Sequence, residues 1–149
     1  MKFVYSDGGR SRYFKANNVN DCVIRAICNA TQKDYLEVYN DLKKLNGGKS
    51  CRNGTPLKVA KKYINSLKGW EWVPTMLVGQ GCKVHLKEDE LPKGILILSL
   101  SKHYTCVKDG VMIVHEMRRG VYMVFGLKRI KFIYYLDIFK IRYINRNCI

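Results

Sequence analysis

The strongest constraint on the fold lies in residues 94–116. "GILILSL" (94–100) is an unbroken apolar run of strand length, and "HYTCVK" (103–108) alternates apolar and polar side chains. Asp109-Gly110 is a two-residue hairpin turn, and "VMIVHE" (111–116) runs back along the same strand pattern. A chain with this segment must build an antiparallel sheet. If the loop is two residues long, Lys108 pairs with Val111. Paired numbers then sum to 219, which sets His103 opposite Glu116 and Tyr104 opposite His115.

Before this segment the periodicity is helical. Residues 20–31 carry Val23, Ala26, Ile27 and Ala30 as an apolar stripe, with Asn20 and Asp21 as N-cap residues. Residues 34–45 present Leu36, Tyr39, Leu42 and Leu45 on one face; Asp34 caps the start and Gly47-Gly48 stops the helix. Residues 54–69 place Thr55 at the N-cap and Pro56 at N1, with Leu57, Ala60, Ile64 and Leu67 facing inward. "DGGRSR" (7–12) reads as a loop, and "WEWVPTML" (70–77) as extended, Pro74 marking an edge or irregular piece. "KEDELP" (87–92) is at most a helical turn. Helices first and an antiparallel sheet afterwards define an α+β class with segregated layers. At 149 residues and 47% hydrophobic, the chain suits one domain, 1–149.

Composition narrows the function classes. No segment reaches the roughly 18 apolar residues of a membrane helix, so a membrane protein is not expected. "MKFVYSDGGR" is charged and glycine-bearing, unlike a secretory signal, so a cytoplasmic protein is expected. The six cysteines then read as free thiols. "CKVH" (82–85) lacks a second ligand pair at zinc-site spacing, so neither a metal nor another cofactor is expected. The net charge of +15 suits nucleic acid or another anionic partner, but no recognition motif accompanies it, and a solvated basic surface is the favoured reading. The oligomeric state is not written in the sequence.

Cys22 is the residue with chemical interest. It falls in the first turn of a helix and off the apolar stripe. There, unpaired N–H groups and the positive end of the helix dipole favour a thiolate. A small, inert thiol beside a cap is the competing reading, and Cys28 within the apolar run reads as a buried small residue. A thiolate nucleophile needs a base, and His103, at the mouth of a strand, is the best placed of the three histidines. Glu116, opposite His103, could orient the imidazole, though a solvated strand-end charge is the plainer reading. The backbone N–H of Cys22 and the side chain of Asn17 are candidate oxyanion donors, with Asn18 and Asn20 in the same loop.

These residues resemble a known family. Asp21-Cys22-x-x-Arg25-Ala26 followed by Ala30-Thr31, then Leu100-Ser101-x-His103-Tyr104 followed by Asp109-Gly110, are similar to the motifs of small papain-like proteins of bacteria, phages and mobile elements. The resemblance covers roughly residues 5–110. It implies a papain-like fold, Cys22 as nucleophile and His103 as base in a thiol hydrolase or peptidase, and a peptide or protein substrate. The same architecture also serves catalytically inactive binding proteins, here with a basic surface for nucleic acid or an acidic partner. Beyond Gly110 the sequence departs from the family: the expected acid and tryptophan are replaced by a tail rich in Ile, Tyr, Lys and Arg. This tail reads as out-of-frame translation of AT-rich DNA, which would cost the protein its third catalytic residue.

Overall fold

A computed structural model describes residues 2–15, 19–74, 91–100, 103–114 and 132–135; of 72–74 and 132–135 the backbone alone is described. The elements in chain order are β1 (Lys2–Tyr5), a 3-10 turn (Arg10–Arg12), α1 (Cys22–Thr31), α2 (Tyr35–Leu45), α3 (Leu57–Ser66), β2 (Glu71–Pro74), β3 (Ile95–Leu100), β4 (His103–Lys108), β5 (Val111–Val114) and β6 (Phe132–Tyr135). The class is α+β. The six strands form one sheet in the order β1-β5-β4-β3-β6-β2.

The sheet is mixed rather than purely antiparallel, because β1 precedes the helices and joins β5 in parallel (Lys2 with Val111, Tyr5 with Val114). Four exposed residues without a buried face carry little sequence signal, so this strand had no place in the expected layers. The central hairpin follows the worked-out register: Lys108 pairs with Val111, Val107 with Met112 and Cys106 with Ile113. Asp109 and Gly110 both take positive φ, the backbone a two-residue hairpin turn needs. Gly94 is tied to this turn through Asp109 Oδ1, which accepts its N–H at 3.0 Å. Part of the divergent tail also enters the sheet: β6 lies between β3 and β2, antiparallel to both.

Both faces of the central strands are buried. Ile97, Tyr104 and Cys106 join the cluster formed with the helices, while Leu96, Leu98, Val107 and Met112 are buried on the other side of the pleat. That explains why 94–100 reads as a continuous apolar run rather than an alternation.

α1 lies deepest, with every residue from Val23 to Ala30 buried. Gly8 allows the preceding loop to pack on it. Its φ is +67°, and a Cβ there would lie 3.2 Å from the Arg25 Cα, the Arg25 carbonyl oxygen and Cys28 Cβ. Ser6 completes the docking, its hydroxyl donating to Asn29 Oδ1 at 2.7 Å.

α2 is capped as expected: Asp34 Oδ1 accepts from Leu36 N at 2.9 Å and Glu37 N at 3.3 Å. Its buried face is Tyr35, Val38 and Leu42, rotated from the expected one, with Tyr39 and Leu45 packed alongside. α3 begins later than its pattern suggested. Pro56 holds the N-cap position with ψ 138°, and Thr55 donates instead to the Cys51 carbonyl at 3.5 Å. Leu57 is consequently exposed, and Tyr63 joins Ala60 and Ile64 in the core. The loop at 7–12 contains a turn of 3-10 helix that sends Arg10 inward.

Three substitutions test this packing by denaturant unfolding. Ile27→Ala, in the fully buried face of α1, should cost about 2–5 kcal/mol. Gly8→Ala should cost about 1 kcal/mol or more through its positive φ and the crowding of α1. Leu57→Ala should stay within about 0.5 kcal/mol of the parent.

Candidate functional site

The start of α1 is organised by a buried carboxylate. Asp21 stands at the N-cap position but makes no side-chain cap hydrogen bond. It is wholly buried and turned back into the protein. Arg10 Nε donates to Asp21 Oδ2 at 2.8 Å, and the Tyr35 hydroxyl donates to the same oxygen at 2.6 Å. Arg25 Nε lies 2.7 Å from Oδ1; the angle there is wrong for a hydrogen bond, so this contact is a close ion pair. Arg10 Nη1 also donates to the Phe14 carbonyl at 3.2 Å, and its guanidinium lies 5.6 Å from the Phe14 ring centroid. Asp7 also feels the charge of Arg25, so the two guanidiniums face two carboxylates.

Cys22 follows directly as the first residue of α1, and its side chain is partly buried. Burial pushes its thiol upward. A backbone hydrogen bond from Tyr104 pulls the other way, the charge of Asp21 adds to the rise, and the backbone N–H groups of Val23 and Cys22 itself pull down. The stabilisation expected from the helix start is therefore present in those N–H groups, but desolvation outweighs it and the resting thiol is protonated.

Tyr104 brings the sheet to this point. The described β4–β5 pairing stops at Cys106 and Ile113, and Tyr104 lies beyond it toward the opening of β4. The pleat aims Tyr104 toward α1 with Cys106. His103, half-buried, opens the strand one residue before the N–H that meets Cys22, and pairs across β3 with Leu100. The structure thus brings Cys22 to Tyr104 of β4, and the pleat that turns Tyr104 toward α1 turns His103, at the open end of the strand, the other way. Asn17 and Glu116, expected as oxyanion donor and third member, lie outside the described residues, as do Cys82, His85, His115 and Cys148. Among the described residues no group of three His, Cys, Asp or Glu side chains could hold a metal ion.

Arg10, Arg25 and Tyr35 were not read as members of this site. Arg25 had a signal: it is a lone charge inside the apolar run of α1 and stands four residues after Asp21, the spacing of a helical ion pair. Arg10 had none, because only the tertiary fold carries the loop to the helix start. No helix of the described residues is long and apolar enough to cross a membrane.

Compared with family models, curated proteins and solved structures, the chain finds no match.

The four described cysteines are free thiols that should separate by reactivity. Burial pushes both the Cys28 and Cys106 thiols up to about 12. A raised thiol stays protonated, and unreactive, until pH approaches that value. Alkylation with iodoacetamide at pH 8, read residue by residue by mass spectrometry, should leave Cys28 and Cys106 unlabelled in the folded protein and label them after denaturation.

Proposed function

We propose that the chain is a papain-like thiol hydrolase in which Cys22 is the nucleophile and His103 the general base. The observation that supports this reading is the packing of Cys22, at the start of a buried helix, against the core cluster that includes Tyr104, the residue after His103. Because burial keeps the resting thiol protonated, His103 takes the proton as the sulfur attacks a substrate carbonyl. The charge then moves onto the carbonyl oxygen. Backbone N–H groups of the first turn of α1, which Cys22 opens, are the donors for it. The imidazolium returns its proton to the leaving amine, and water resolves the acyl-enzyme. The substrate is a peptide or protein, and the chemistry uses no metal or other cofactor.

Loss of His103 removes the acceptor of the thiol proton, so His103→Ala should slow acylation of Cys22 by a peptidyl electrophile about 10²-fold or more. Cys22→Ala should abolish both labelling and turnover of any peptide substrate found by screening. Labelling of Cys22 at the same rate with and without His103 would contradict the reading. The alternative is an inactive papain-like protein that uses its basic surface on nucleic acid or an acidic partner; the raised Cys22 thiol favours it.

A further inference from the structure

We infer that Asp21 is a positioning residue for Cys22: its carboxylate, held by Arg10, Arg25 and Tyr35, fixes the first turn of α1 and sets the charge that the thiol feels. The argument starts from what Asp21 does not do. A residue of this type at an N-cap normally spends its carboxylate on the first-turn N–H groups. Here the carboxylate faces the other way and makes no such bond. The first-turn N–H groups are therefore not taken up by the Asp21 side chain, and those of Val23 and Cys22 act to lower the thiol. Withdrawing the cap side chain is what leaves these donors to the thiol.

The network also fixes the direction in which α1 enters the core. Arg10 comes from the loop before the helix, Arg25 from the next turn of α1 and Tyr35 from α2. All three are nearly or wholly buried. Three elements therefore converge on one carboxylate, and Cys22 is the next residue along the chain. Buried ion pairs of this kind contribute little net stability, but an unmatched partner is costly, so the arrangement is held in one geometry.

The charges bear on the sulfur with opposite signs. Asp21 opposes a thiolate, and the positive charge of Arg25, three residues on along the same helix, favours one. Arg10 Nη2 is buried with no hydrogen-bond partner among the described residues, and Asp7 is the second carboxylate in the field of Arg25. From the sheet, the titratable group at this point is Tyr104, whose hydroxyl is itself raised by burial.

The inference takes from the proposed function only that Cys22 reacts as a thiolate. Its test is the pH dependence of iodoacetamide alkylation at Cys22, resolved by mass spectrometry, in the full-length protein and in Asp21→Asn, Arg25→Gln and His103→Ala, with circular dichroism to verify folding. Asp21→Asn should move the midpoint for Cys22 down by about one pH unit, and Arg25→Gln should move it up by about the same amount. A purely structural role would loosen the helix start in both variants and shift Cys22 the same way, toward an exposed thiol. Shifts of one sign, or none, overturn the inference. If Asp21→Asn does not fold, Arg25→Gln decides alone, a rise supporting it and a fall or no change overturning it. An unfolded Arg25→Gln counts against it, because Arg10 and Tyr35 still hold Asp21. His103→Ala separates this from the catalytic reading. A Cys22 profile that ignores His103 overturns the hydrolase and leaves the opposite-sign shifts standing.

Discussion

The contact on which the rest of the site depends is the buried carboxylate of Asp21 between two arginines and a tyrosine hydroxyl. It joins the N-terminal loop, α1 and α2 at one point, and the cysteine that follows is placed as a consequence. The loop can reach this point because Gly8 tolerates both a left-handed backbone and close contact with Arg25. The helices and the sheet supply the apolar mass of the core. The ion network supplies direction, since apolar packing alone does not fix where a helix begins.

The elements with strong local signals were legible. α2 has a true cap at Asp34, and the β4–β5 hairpin has the Asp109-Gly110 turn, so both lie where their patterns place them. Elements with weak signals were not. β1 is four exposed residues and β6 sits in a tail with few turn residues, and both find their places only by pairing with strands distant in sequence. Leu57 shows the limit of periodicity. It lies on the expected inward face, but α3 starts at it, and the first turn of the helix stands clear of the core.

The site shows the same division. Cys22 and His103 each open an element where the local pattern placed one, and the fold packs Cys22 against the cluster that includes Tyr104, the residue after His103. The role of Asp21 was misread, because a capping residue before a helix is the commonest use of aspartate there and nothing local announces a buried ion pair. The acidity of Cys22 was misread for a related reason. A helix start lowers a thiol's pKa when it is solvated, whereas here burial is the larger effect. The basic surface is separate from this site: Lys43, Lys44, Lys49 and Lys62 are exposed, while Arg10 and Arg25 are spent inside.

The central claim is that the start of α1 and the mouth of β4 form one site. It is tested most directly by recording the amide and imidazole NMR signals of the folded protein before and after Cys22 is blocked as a methyl disulfide. The account predicts large changes at the Tyr104 amide and the His103 ring, far along the chain from the modified residue, together with those in the first turn of α1. Changes confined to residues 21–26, with Tyr104 and His103 unmoved, would contradict it.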